Sequence, residues 1–230
     1  MRDFSIFEKK IGVNFKNKDL LIQAFAHRSY LNENLDFNLD HNERLEFLGD
    51  AVMELIVTEH LYKKYPNKPE GELTNLRAAL VNAKMLTSIA DELGFNDFLL
   101  LSKGEEKEGG KARACILANT FEALLGAIYL DLGYKTVEEF LKKNLIIRLA
   151  EILRTGSYKD AKSKFQEESQ EKVGITPSYK VVKELGPDHN RIFTVGVYLA
   201  DELVATGEGS SKQSAEEEAA KEALKIKSWN

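Results

Sequence analysis

The chain has 230 residues, 43% of them hydrophobic and 30% charged, with a formal net charge of −5. That length allows a well-buried core and favours a larger and a smaller domain, and no apolar run looks long enough for a bilayer, which argues against a membrane partner. The acidic balance excludes nucleic-acid binding through bulk positive charge, so any phosphate-binding surface has to be a local patch. The N-terminal stretch MRDFSIFEKK lacks the apolar core of a secretory signal, and the single cysteine, Cys115, has no intramolecular partner; both point to a reducing cytoplasm.

From residue 1 to about 153 the pattern is helical. Apolar residues recur at three- and four-residue spacing in residues 20–27, 44–65, 73–93 and 116–133. Breaks are expected at residues 66–71, at Gly94 and across a charged, glycine-containing loop at residues 102–114. The small polar residues Thr155, Gly156 and Ser157 suit a short linker at about 154–158, which separates an all-α domain of residues 1–154 from a second domain of residues 155–230. In the second domain a short amphipathic helix at residues 161–173 precedes three strand-like runs and a last helix, an α-β-β-β-α order. Phe193, Val195, Val197 and Leu199 alternate with Ile192, Thr194, Gly196 and Tyr198, the period of a strand with one face on a core. Ala215, Ala219, Ala220, Ala223 and Leu224 form a narrow stripe suited to lying close on a sheet.

The densest chemical signal lies in residues 42–52. At about 100° per residue, Glu43, Glu46 and Asp50 share one arc of a helix, nearly opposite Leu45, Leu48, Val52 and Leu55. Met53 and Val57 continue the acidic arc, so these acids sit on a partly buried face. Carboxylates about 5.5 Å apart repel by roughly 3 kcal/mol at an effective dielectric of about 20, and a hard divalent cation with oxygen ligands would offset that cost. Taken alone, the spacing is more often that of solvated surface charge. Gly49 points the other way, because a glycine inside a helix costs about 1 kcal/mol and implies that something approaches closely. On a second helix, Asn119 and Glu122 face away from Leu117, Phe121, Leu124 and Ile128.

The nine residues Asn42-Glu43-Arg44-Leu45-Glu46-Phe47-Leu48-Gly49-Asp50 resemble the signature of the bacterial ribonuclease III family. The likeness extends to Ala26-His27-Arg28-Ser29-Tyr30, to Glu70-Gly71 before Leu76-Arg77-Ala78, and to residues 116–124. The resemblance implies Mg²⁺-dependent hydrolysis of double-stranded RNA, with Mn²⁺ as a substitute ion, 5′-phosphate and 3′-hydroxyl products with short 3′ overhangs, a homodimer, and processing of ribosomal RNA precursors. It implies metal ligands at Glu46, Asn119 and Glu122 and a catalytic pair of Asp50 and Glu122, with Glu43 and Glu70 as spare acids that support the ligands or bind a second ion. Many members carry aspartate where this chain has Asn119, so weaker or rearranged metal coordination is expected. That residue also favours an alternative, a catalytically weak protein that binds double-stranded RNA.

The C-terminal segment resembles a double-stranded RNA-binding domain through Gly186-Pro187-Asp188-His189, Phe193-Thr194-Val195 and residues 207–216. Such domains read duplex shape over about 16 base pairs. Residues from Gly156 onward hold 11 Lys and Arg against 13 Asp and Glu, so the phosphate contacts have to be few and local. Lys212 opens the last helix, where free backbone N–H groups attract phosphate. By the same resemblance Ser163, Gln166 and Glu167 face the minor groove, and His189 reaches it from a loop. His27 and His41 read as structural.

Overall fold

The computed structural model describes residues 2–156, 158, 160–187 and 191–229. It divides into two compact units, Met1–Gly156 and Ser157–Asn230. The first is all helical among the described residues: α1 (Phe4–Ile11), α2 (Lys18–Ala24), α3 (Arg28–Glu33), α4 (Glu43–Lys64), α5 (Glu70–Leu80), α6 (Ala83–Glu92), α7 (Lys103–Lys107), α8 (Gly110–Leu132), α9 (Tyr134–Asn144) and α10 (Leu149–Thr155), with single 3₁₀ turns at Phe95–Asp97 and Ile146–Arg148. Its axis is α8, packed most extensively along α4. Between Leu117 and Ile128 every α8 residue is buried except Asn119 and Glu122. A helix that is apolar all round must be covered all round, and α2, α4, α6 and α9 do so.

The N-terminal helix is held by rings. Phe7, fully buried, meets Phe25, Phe95 and Phe98 at centroid distances of 4.8, 5.3 and 5.1 Å, and Phe95 stacks on Phe121. The buried carboxylate of Glu8 accepts the Phe15 amide at 2.7 Å and pairs with Lys18 Nζ at 2.6 Å. Both of its neighbours are thereby satisfied, and a buried acid is tolerated.

The structure departs from the sequence expectations at several places. The helical run at residues 73–93 is interrupted at Val81 and Asn82, where the Asn82 side chain accepts the Met85 amide and starts α6 anew. Gly71 belongs to the first turn of α5 and not to the preceding break. The expected loop at 102–114 contains α7 and the first turn of α8; Arg113 donates to the carbonyls of Glu105, Glu106 and Glu108 and so caps the end of α7. On α4 the buried residues are Leu45, Gly49, Val52, Met53, Ile56, Val57 and Leu61, while Leu55 is 58% exposed and Leu48 only half-buried. The acids therefore border the buried side of α4, and part of the stripe assigned to the core faces outward. Among the described residues one helix, α8, is also long and apolar enough to cross a membrane, contrary to the composition reading; 56% of its apolar window is buried inside the unit, as in a core helix.

The second unit is α11 (Ala161–Val173), β1 (Ser178–Leu185), β2 (Ile192–Leu199), β3 (Glu202–Gly209) and α12 (Lys212–Lys227), with an antiparallel sheet in the order β1-β2-β3. Val195, Val197 and Leu199 point inward as their alternation requires. Phe165, Trp229 and Ala219, Ala220 and Ala223 of α12 close the core against Val197 and Leu199. Gly207 lies where a Cβ would strike the backbone of Ala215 and Ala219, so glycine on β3 and alanine on α12 together let helix and sheet touch. On the outer face the Tyr198 ring and Leu203 fold over Gly196, and Lys180 Nζ lies 5.1 Å from the centre of that ring.

Candidate active site

Asn42 anchors the start of α4. Its buried side chain donates to the Ala24 carbonyl at 3.1 Å and its own amide donates to the Ala26 carbonyl at 2.9 Å, which ties α4 to the end of α2. Two turns later the helices α4 and α8 meet backbone to backbone. A Cβ on Gly49 would fall on the carbonyl oxygen of Glu122, and a Cβ on Gly126 would fall on the carbonyl oxygen of Leu45. Two glycines, one on each helix, thus permit an approach that no other residue allows.

That contact sets Glu46 and Asp50, which flank Gly49, against Asn119 and Glu122 on α8. Glu122 is half-buried, and burial together with the charges of Asp50 and Glu46 pushes its carboxyl up to about 7. Glu46 is also raised, first by burial and then by Glu43 and Asp50, with a side-chain hydrogen bond to Asn119 acting in the opposite direction. An aspartate at 119 could not donate that bond. Asn119 is therefore more than a missing charge: its side chain acts against the rise of the Glu46 carboxyl.

The remaining acids are placed differently. Glu43 is exposed at the start of α4, with Arg28 at 3.7 Å and the His41 ring at 3.9 Å. Glu70 opens α5, accepts the Thr74 hydroxyl at 3.0 Å and lines a separate cavity of about 410 Å³ with Thr58, Leu61, Tyr62, Leu73 and Arg77. Nothing links it electrostatically to Glu122 or Glu46 within this chain. The ring of His27 accepts the Ser29 amide and caps α3, a structural task, and burial lowers its basicity. Cys115 is exposed on α8.

Among the described residues no three histidine, cysteine, aspartate or glutamate side chains close into a ready-made metal cage. The chemistry of the donors nevertheless fits a hard divalent cation. All are oxygens, and Glu122 is raised first by its burial and then by the charges of Asp50 and Glu46, both of which a bound cation would offset. An ion of this kind keeps several waters, so a few protein oxygens suffice.

Sequence reasoning did not single out Phe47, which is 81% exposed on α4. Leu55 on the same helix and Leu130 on α8 are exposed as well. A large aromatic in the middle of a signature otherwise devoted to acids and core positions was the available signal.

In the second unit Ser163, Gln166 and Glu167 are exposed on α11, three and four residues apart, hence on one face. The Ser163 amide and hydroxyl both donate to Asp160, the cap of that helix. Lys212 opens α12 behind the capping Ser211, with its Nζ 3.5 Å from Glu184 and 5.7 Å from the centre of the Phe193 ring. His189 lies outside the described residues.

Family comparisons agree with both halves. The Ribonuclease-III-like family matches residues 17–149 and the double-stranded RNA binding motif matches residues 161–227. A nuclease unit followed by a duplex-RNA-binding unit makes this an endonuclease of double-stranded RNA. Ribonuclease 3 of Borreliella afzelii is 46% identical over 221 residues, covering 96% of this chain and 90% of that protein. Ribonuclease 3 of Bacillus cereus is 47% identical over 225 residues with the same coverage. The chain belongs to the ribonuclease III family, whose members work with a divalent metal. The nuclease domain of a Campylobacter jejuni ribonuclease III, described for flexibility in the region involved in its dimer formation, superposes with a TM-score of 0.56 at 41% identity, covering 65% of this chain and 96% of that one.

Proposed function

We propose that this endonuclease hydrolyses both strands of an RNA duplex with Mg²⁺ held by Glu46, Asn119 and Glu122, leaving 5′-phosphate and 3′-hydroxyl ends with short 3′ overhangs. The observation that carries this reading is the half-buried Glu122 pressed against Asp50 and Glu46 across the Gly49–Gly126 contact. A cation bound there would lower the pKa of an attacking water and offset charge on the phosphoryl oxygens. Glu122 and Glu46 supply the anionic oxygens that hold it. Asp50, exposed beside them, orients the attacking water and receives its proton, while the buried Asn42 anchors the start of α4 and keeps the group rigid. Glu43 acts on Glu46 through its charge and Glu70 lies apart on α5, and both serve as supporting acids. Ser163, Gln166, Glu167, His189 and Lys212 hold the duplex, and ribosomal RNA precursors are the natural class of substrate. The lone exposed thiol suits the cytoplasm.

Incubation of the protein with a long RNA duplex and Mg²⁺, with products sized on a gel and Glu122→Gln as control, tests the reading. Binding without cleavage over a wide range of Mg²⁺ would refute it and leave the duplex-binding alternative, which Asn119 favours. Asn119→Asp should restore a fourth charge and shift half-maximal cleavage to lower Mg²⁺, with a larger Mg²⁺-induced rise in melting temperature. Equal metal requirements in the two proteins would show that residue 119 does not face the ion.

The partner is a second copy. Phe47 protrudes, and a cavity floored by Leu61 and Leu73 opens elsewhere on the same chain. A knob and a hollow on one molecule are satisfied together by a two-fold dimer, in which each copy gives and receives. Phe47→Asp should give a monomer by sedimentation and lose paired cuts; a variant that remains dimeric counts against this surface.

A further inference from the structure

One carboxylate in the second unit holds two cations from two different segments. Glu184, near the end of β1, has one oxygen 3.5 Å from Lys212 Nζ at the start of α12 and the other 3.4 Å from Arg191 Nη1 just before β2. All three side chains are between about two-fifths and three-fifths exposed. The Phe193 ring under Lys212 keeps the ammonium close to that carboxylate. Surface pairs of this kind add little to stability. Their effect on an incoming anion is larger, because a phosphate that reaches Lys212 also meets the negative charge beside it.

We propose that Glu184 restrains RNA affinity by competing with the RNA phosphates for Lys212 and Arg191. The inference rests on the reading of Lys212 as an RNA contact. The second unit has no surplus of positive charge, so each cation engaged by an acid is a sizeable share of its electrostatic hold on the duplex. Release of Lys212 from Glu184 adds a free cation where the helix N-terminus already favours an anion. Removing the acid should therefore tighten binding, and more so at low salt, where charge–charge terms are least screened.

The test uses the full chain and a blunt RNA duplex of about 20 base pairs, longer than the roughly 16 that such a unit spans. Binding is followed by fluorescence anisotropy in EDTA, which prevents cleavage, over a salt series. Glu184→Gln and Glu184→Ala should each bind about 3- to 10-fold tighter at low salt, with the plot of log affinity against log salt steeper by about 0.7–0.9 per phosphate gained. Lys212→Gln should weaken binding, and Glu184→Gln added to it should gain less than half of what it gains in the parent. Thermal melts should be unchanged in all of them. Glutamate variants that bind no tighter than the parent overturn the inference even if Lys212→Gln behaves as expected. A Lys212→Gln protein that binds as tightly as the parent overturns instead the reading of Lys212 on which it rests.

Discussion

In metal-free buffer at pH 8, Glu122→Gln should melt at a higher temperature than the parent while cleaving duplex RNA at least about 10²-fold more slowly. The two effects have one cause. The Glu122 carboxyl is pushed up to about 7 from an ordinary value of 4.5, by burial first and then by Asp50 and Glu46. Between those values the folded chain binds more protons than the unfolded one, so stability falls as pH rises through that window and the ionised acid is a full burden above it. Glutamine removes the burden. Because water still reaches part of the side chain and screens it, that burden is about 1–2 kcal/mol. That corresponds to roughly 2–8 °C in a unit of this length. The advantage of the variant should vanish below about pH 4.5, and Mg²⁺ should reverse the order of melting because the parent, with one more anionic ligand, gains more from binding. Identical melting at pH 8 would mean that Glu122 is not under strain.

Gly49→Ala should destabilise the nuclease unit and cost more activity than stability. Helix propensity alone favours alanine by about 1 kcal/mol. The new Cβ, however, would land on the carbonyl of Glu122, with the Gly126 amide close behind, and both are backbone atoms that cannot swing aside. Overpacking of this kind costs about 1–3 kcal/mol, so the clash outweighs the propensity. Relief requires α4 and α8 to part, which separates Glu46 and Asp50 from Asn119 and Glu122. The expected signature is a lower melting temperature together with a higher Mg²⁺ requirement for cleavage. Alanine accepted with neither change would show that the two helices are free to slide.

Much of this was legible in the amino-acid sequence, for physical reasons. Periodicities of 3.6 and 2 follow from which face is buried, so α4, α8, α11, β2 and α12 could be placed by counting. Gly49 announced a close approach, and the Glu122 carbonyl makes it. Leu48 and Leu55 misled, because an apolar stripe does not say whether it meets the chain's own core or a separate surface. Residues 102–114 misled because glycines and charges look like a loop until Arg113 is seen capping the α7 carbonyls. Pairings across helices, such as Asn119 with Glu46, and across segments, such as Glu184 with Arg191 and Lys212, depend on tertiary placement and leave no local trace.

The ring cluster around Phe7 has a consequence for the order of synthesis. Its partners Phe95 and Phe98 arrive about ninety residues later, and Phe121, which stacks on Phe95, later still. An emerging N-terminal half thus has no completed hydrophobic centre, and Glu46 has no Glu122 to face. Residues 161–229, whose core is drawn from within about seventy positions, can close soon after they leave the ribosome. Each newly made copy therefore lacks the pairing of Glu46 and Asp50 with Glu122 until α8 has been translated.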